Sequence, residues 1–166
     1  MIVIGLDPGI ALTGYGIVRE DDKGEISALE FGVISTSNHF NEAERLLILH
    51  QQLSSIILLH RPDASAVEKL FFQKNTRTAM SVGQARGVAL FTLAKHGVCV
   101  YEYAPVEVKQ ALTGYGQADK RQIQMMVKTR LGLEKLPSPD DAADALAIAI
   151  CHIQSYHLNS SVASSG

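Results

Sequence analysis

The first predicted strand of the chain ends in a charged side chain. The apolar run IVIGL, residues 2–6, leads directly into Asp7, and a Pro-Gly pair then ends the strand. A continuous apolar run is typical of a strand in the middle of a sheet that is covered on both faces. Because a buried carboxylate without a partner is costly, we expect a nearby group to hold or use the charge of Asp7. The sequence therefore predicts a layered fold with a functional group at the end of its central strand.

Hydrophobic periodicity and turn signals predict an α/β domain whose mixed five-stranded sheet has helices on both faces. The first three strands are expected to be antiparallel, and right-handed crossovers through helices make the later two parallel to the first. Asn41 and Glu44 form a capping-box pattern, and Gly97 and Gly132 follow predicted helix ends. The predicted strands are 2–7, 13–19, 26–35, 64–68 and 98–103, and the predicted helices are 42–60, 76–96, 105–112, 119–131 and 140–156.

The length of 166 residues fits one domain. We assign residues 1–156 to this domain and expect residues 157–166 to form a flexible tail, since they contain little apolar surface. No run of about 18 uncharged apolar residues predicts a membrane span, and no basic leader precedes the first strand. Cys99 and Cys151 are interpreted as reduced core residues of a cytoplasmic protein.

A net charge of −2 conceals an uneven distribution of charge along the chain. Residues 1–68 carry an excess of acidic side chains, residues 69–135 an excess of basic ones, and residues 136–166 only acidic ones. No acidic residue occurs between Lys69 and Tyr101. Such asymmetry is compatible with a polyanionic partner such as a nucleic acid, and basic solvated helix faces are the alternative explanation.

Four carboxylates occupy positions that the predicted topology would bring to one edge of the sheet. Asp7 and Glu68 each end an apolar strand, and Asp141 and Asp144 share one face at the start of the last helix. Ligand sites in such sheets lie outside the carboxyl ends of the strands. Converging carboxylates repel one another unless a divalent cation joins them, and hard oxygen ligands favour Mg²⁺ or Mn²⁺. Alternatively, Asp140 and Asp141 cap the last helix and Asp7 caps a neighbouring loop. Glu68 could likewise pair with Lys69 or Arg86.

The residues also resemble those of a known family. The segments IGLDPGIALTGYGIV, VEKLFF, GQARGVAL, VKQALTGYGQADKRQIQMMV and DDAADALAIAICH are similar to those of RuvC, the bacterial Holliday-junction resolvase family, over residues 1–153. The resemblance implies a ribonuclease-H-like fold and a homodimeric, Mg²⁺-dependent endonuclease. It further implies two ions per subunit, Mn²⁺ as a substitute, paired symmetric nicks in a four-way DNA junction, and RuvA and RuvB as branch-migration partners.

The resemblance also assigns roles to individual residues. Asp7, Glu68, Asp141 and Asp144 match the catalytic metal ligands, with Asp141 at a position where some members carry His. Lys109 and Lys120 match lysines implicated in DNA binding and catalysis. An aromatic residue of the family stacks at the junction centre, and Phe71 and Phe72 are both candidates for it. The basic residues that follow, Lys74 and Arg77, are expected to contact phosphates unless they merely solvate a helix start.

Two rival functions remain at this point. The hairpin GLDPG…TGYG also looks like the phosphate-binding hairpin of actin-like ATPases, although these need a second such domain. A non-catalytic junction-binding protein is the other rival, and the intact set of four carboxylates argues against it.

Overall fold

The computed structural model describes the backbone of residues 1–69 and 76–163 and the side chains of residues 1–69 and 79–159. Its strands and helices lie within a few residues of the predicted ones, except at the end of the last helix. They are β1 (Ile2–Asp7), β2 (Leu12–Glu20), β3 (Ile26–Ser35), α1 (Glu42–His60), β4 (Ala64–Glu68), α2 (Thr76–Lys95), β5 (Cys99–Tyr103), α3 (Pro105–Thr113), α4 (Lys120–Arg130) and α5 (Asp140–Ala163).

The strands form one mixed sheet in the order β3-β2-β1-β4-β5, with β1 at its centre. β1 pairs antiparallel with β2 and parallel with β4, and β5 pairs parallel with β4. The predicted α/β fold class and strand directions are therefore confirmed. The central position of β1 explains its continuous apolar sequence, because it is covered on both faces.

Local sequence signals define several helix boundaries. The Asn41 side chain accepts a hydrogen bond from the Glu44 amide at 3.0 Å, and the Glu44 carboxylate accepts one from the Asn41 amide at 2.8 Å. This capping box supplies partners for amide groups that the first turn of α1 leaves free. Gly97 and Gly132, which follow α2 and α4, have φ angles of 72° and 62°. This left-handed backbone is typical of glycine just after a helix end.

Each face of the sheet carries its own helical layer and apolar core. On one face α1 and α2 pack on residues such as Ile4, Leu6 and Val67. On the other face α3, α4 and α5 pack on residues such as Val3 and Val18. α5 lies especially close to β1 and β2, because glycines in these strands leave room for its backbone. This close contact carries the start of α5 to the end of β1.

Two predictions about the chain need correction. α5 continues to Ala163, about two turns beyond the predicted end at residue 156. The His157 ring hydrogen-bonds the Glu20 carboxylate at 2.6 Å, a contact that composition could not reveal. The division into a domain of residues 1–156 and a flexible tail of residues 157–166 stays a prediction. Cys99 is exposed on the edge strand β5 rather than buried, whereas Cys151 is buried as predicted. In the described part of the chain, no helix is both long and apolar enough to span a membrane.

Candidate active site

Asp7 and Glu68 lie side by side at the carboxyl ends of the parallel strands β1 and β4. The residues before them, Leu6 and Val67, are paired across the two strands and belong to the core beneath α1 and α2. Because side chains alternate along a strand, Asp7 and Glu68 point to the opposite face, where α5 lies. The predicted meeting of the two strand ends is therefore observed.

The start of α5 brings the two aspartates of the helix to the same place. Gly14 of β2 is paired with Asp7, and a side chain at Gly14 would overlap with the backbone carbonyl of Asp141. The missing Cβ thus allows α5 to begin directly against the end of β1. Asp144 follows Asp141 by three residues, so the two share one helical face.

The carboxylates affect one another electrostatically. Burial, followed by the charges of Glu68, Asp144 and Asp141, raises the pKa of Asp7 from 3.8 to about 7, against an opposing effect of Lys120. Burial and the charge of Asp144 also raise the pKa of Glu68. The pKa of Asp144 is likewise raised, mainly by burial. Ionisation of all the carboxyl groups at once is therefore unfavourable, and the site attracts positive charge.

Lys120, at the first position of α4, supplies a positive charge at this cluster. Its Nζ lies 3.0 Å from an oxygen of Asp140 and 3.5 Å from an oxygen of Asp144. The Gln124 side chain donates a hydrogen bond of 2.9 Å to the Asp140 carboxylate and so fixes the group that holds the lysine. Lys109 and Lys120 line the same cavity of about 220 Å³ as Glu68 and Asp144. The two predicted lysines are therefore near the carboxylates.

The alternative partners considered for Glu68 are engaged elsewhere. Lys69 lies 4.0 Å from the Glu107 carboxylate, and the Arg86 guanidinium forms an ion pair with Glu102. Among the side chains described by the structure, neither of these cations pairs with the Glu68 carboxylate. The Glu68 carboxylate therefore interacts with the other carboxylates of the cluster and not with these two cations.

The donor atoms suit a hard divalent cation, although the side chains are not arranged around one. Within the described residues, no three His, Cys, Asp or Glu side chains form a group that could hold a metal ion. The donors are all carboxylate oxygens, the ligands preferred by Mg²⁺ and Mn²⁺. Since Asp7, Glu68 and Asp144 all have raised pKa values, a bound cation would relieve their repulsion. The chemistry of the cluster therefore fits a divalent metal once the side chains turn toward it.

The predicted DNA contacts of the aromatic and basic segment lie beyond what the structure describes. Phe71, Phe72 and Lys74 lie outside the described residues, and the side chain of Arg77 is not among those described. Their expected roles stay predictions.

Comparison with known proteins identifies the family. The family model described as "Crossover junction endodeoxyribonuclease RuvC" matches residues 3–152. The chain belongs to the RuvC family. A crossover junction endodeoxyribonuclease RuvC from Caldicellulosiruptor saccharolyticus is 53% identical over 155 residues, which cover 93% of each chain.

Solved RuvC structures share the fold. The Thermus thermophilus RuvC structure has a TM-score of 0.89 and 39% identity, covering 96% of this chain and 97% of that chain. A second structure, of T. thermophilus RuvC in complex with a Holliday junction substrate, has a TM-score of 0.87 and 36% identity, covering 95% and 96%. The ribonuclease-H-like fold implied by the resemblance is confirmed.

Sequence reasoning missed the residues that hold Lys120. The place of Asp140 at the start of a helix predicts a capping residue, and no sequence pattern marks Gln124. Asp140 instead pairs with Lys120, and this contact lowers the pKa of the Asp140 carboxyl. Asp140 and Gln124 lie on different helices, 16 residues apart, so no local pattern of the sequence indicates their contact.

Proposed function

We propose that the chain is a metal-dependent endonuclease that resolves four-way DNA junctions in recombination and repair. The observation that carries this proposal is the convergence of Asp7, Glu68, Asp141 and Asp144 at one edge of the sheet, beside two lysines. Membership of the RuvC family supports it, as does the 36% identical relative that was solved with a Holliday junction.

Asp7, Glu68, Asp141 and Asp144 would hold the metal, which we propose to be two Mg²⁺ ions per subunit, with Mn²⁺ as a substitute. Held by these carboxylates, a metal would supply Lewis-acid activation of a water for attack on a phosphodiester and charge stabilisation of the leaving oxygen. The expected products are 5′-phosphate and 3′-hydroxyl ends. Asp7 must be ionised to act as a ligand, and its pKa of about 7 means that it binds a proton in competition with the metal.

The lysines of the site act on the phosphate. Lys120 begins α4 and is about half exposed, so its ammonium can turn from Asp144 to a scissile phosphate without unfolding any element. Lys109 lines the same cavity as Lys120 and offers a second cation. Positive groups aimed at developing negative charge stabilise the transition state of phosphoryl chemistry. We propose this role for both lysines, together with phosphate contacts by Lys74 and Arg77 and base stacking by Phe71 or Phe72.

Resolution of a junction requires two cuts, so we propose a homodimer that presents one site per strand. Gly83 and Gly87 of α2 have open space beside them and would let a second copy approach closely, whereas the neighbouring Ala85 and Ala89 pack in the core against the sheet. We further propose that the dimer works in the cytoplasm with the branch-migration proteins RuvA and RuvB.

A cleavage assay on a synthetic mobile four-way junction tests the function. The protein is incubated with the junction, or with a linear duplex of the same sequence, in Mg²⁺ or in EDTA, beside the Asp7→Asn variant. We expect paired symmetric nicks in the junction alone, which disappear in EDTA and in the variant. Tight binding without cutting would support an architectural protein instead, and equal cutting of the duplex would remove the junction selectivity.

A further inference from the structure

Arg86 reaches the end of β4 from α2. Its Nε donates a hydrogen bond of 3.5 Å to the backbone carbonyl of Glu68, and its guanidinium forms an ion pair with the Glu102 carboxylate. The Arg86 side chain is only 17% exposed. A charged side chain so shielded needs its partners, because an unpaired buried charge is costly.

The contact comes from the face of the sheet opposite the carboxylate cluster. Val67 of β4 pairs in parallel register with Glu102 of β5, so the two side chains share a face, the one that α1 and α2 cover. The next residue, Glu68, points its side chain to the other face, toward α5. Arg86 therefore hydrogen-bonds the Glu68 backbone from the face that α1 and α2 cover. The Glu68 carboxylate points to the opposite face, where Asp144 lies.

At Glu68, β4 is paired with β5 through Tyr103 but is no longer paired with β1. The pairing of β1 with β4 ends at Leu6 and Val67, one residue earlier. Arg86 supplies a hydrogen-bond donor to the Glu68 carbonyl. Its ion pair with Glu102 joins the same end of β4 to β5. A planar guanidinium can bond a carbonyl through Nε and a carboxylate through Nη2 at the same time, which the single ammonium of lysine cannot reproduce.

We infer that Arg86 is a positioning residue for the nuclease reaction: it fixes the end of β4 so that the Glu68 carboxylate is held in the cluster. This inference rests on the proposed function, because it assigns Glu68 the role of a metal ligand. Partners that orient metal ligands typically contribute 10–100-fold to metal affinity or activity. Arg86 acts through Glu68, since its side chain contacts the Glu68 carbonyl and the Glu102 carboxylate on the face of the sheet opposite the cluster.

The test compares Arg86→Lys and Arg86→Gln with a matched control, Arg130→Lys. Arg130 also donates to a backbone carbonyl, that of Leu112, at 3.5 Å, but it lies at the other end of α4, about 15 Å from Lys120 along the helix. Three quantities are measured in full-length protein: the Mg²⁺ concentration for half-maximal junction cleavage, the junction Kd in EDTA, and the rise in Tm that Mg²⁺ causes.

For Arg86→Lys we expect about a tenfold higher Mg²⁺ requirement and a smaller Mg²⁺-dependent rise in Tm, with the metal-free Kd unchanged. Arg86→Gln should show a larger effect, and Arg130→Lys should match the wild type. Arg86→Lys keeps the positive charge near Glu102, so the test stands even if Arg86→Gln fails to fold.

Three results would overturn the inference: a wild-type Mg²⁺ requirement in Arg86→Lys, a loss of metal-free junction binding that accounts for the lost cleavage, or an equal defect in Arg130→Lys. Failure of the proposed function would look different, because the wild type itself would then cut no junction. The Mg²⁺-dependent rise in Tm would still decide whether Arg86 positions a metal ligand.

Discussion

Replacing Asp7 with Asn should stabilise the metal-free protein at neutral pH while abolishing its activity. Asp7 is held among three other carboxylates, and its pKa is raised from 3.8 to about 7, mainly by burial. A raised carboxyl pKa means that the folded state binds the proton more tightly than the unfolded chain. Stability therefore falls as the pH rises from about 4 to about 7, and the full loss is present above that range. Asn has nearly the same shape as Asp and carries no charge, so Asp7→Asn removes this loss.

The size of the effect follows from the pKa shift. Because the pKa of Asp7 rises from 3.8 to about 7, the cost of ionising Asp7 in the folded protein has an upper limit of about 4 kcal/mol. Since a metal-free site can relax toward solvent, we expect a gain of about 2–4 kcal/mol in the free energy of unfolding at pH 8. For a domain of this length, that gain raises Tm by roughly 5–15 °C.

Thermal unfolding in EDTA, followed by circular dichroism between pH 5 and pH 8, measures this effect. The difference in Tm between Asp7→Asn and wild type should be small at pH 5 and grow as the pH rises. Asp22→Asn serves as the control, because Asp22 is exposed in the turn between β2 and β3 and lies outside the cluster. An Asp7→Asn variant that is no more stable than wild type at pH 8 would refute the proposed electrostatic conflict at the end of β1.

Three further predictions concern other parts of the site. Lys120→Gln should slow single-turnover junction cleavage by about 100-fold with little change in junction Kd, and a wild-type rate would exclude a role in the chemistry. Lys109→Ala should lower the slope of log Kd against log salt by about 1, as titrations between 50 and 200 mM salt would show, and an unchanged slope would rule out a phosphate contact. Gly14→Ala should destabilise the protein by about 3 kcal/mol in urea unfolding because its methyl group would overlap with the Asp141 carbonyl, and an unchanged free energy of unfolding would rule out this close packing of α5 on β2.

Much of the fold could be predicted because its signals are local. The apolar run of β1, the Asn41 capping box and the glycine after α2 each act within a few residues. The predicted end of α5 is wrong because the contact found there is not local in sequence. The sequence after residue 156 has little apolar content, and the bond between His157 and Glu20 joins residues that are 137 positions apart.

The candidate site likewise has a part that could be predicted from the sequence and a part that could not. The positions of Asp7 and Glu68 could be predicted, since strand ends in a parallel pair must meet. The ion pair between Lys120 and Asp140 depends on how α4 packs beside α5, and the Arg86 contact depends on which face of β5 carries Glu102. These contacts are set by tertiary packing, so a sequence pattern can propose the charged residues without showing which of them pair.

The packing of α5 supplies the energy that holds the carboxylates together. Gly5 and Gly14 let the helix backbone lie directly on β1 and β2, so a single methyl group at either position would push the aspartates away. Leu146 and Ile150 of the helix are fully buried, and each such side chain contributes about 1.5–3 kcal/mol. Together they contribute about 3–6 kcal/mol, which is comparable with the upper limit of about 4 kcal/mol for ionising Asp7. The core beneath α5 can therefore hold a cluster of like charges that would otherwise separate, and a bound cation then recovers part of the cost.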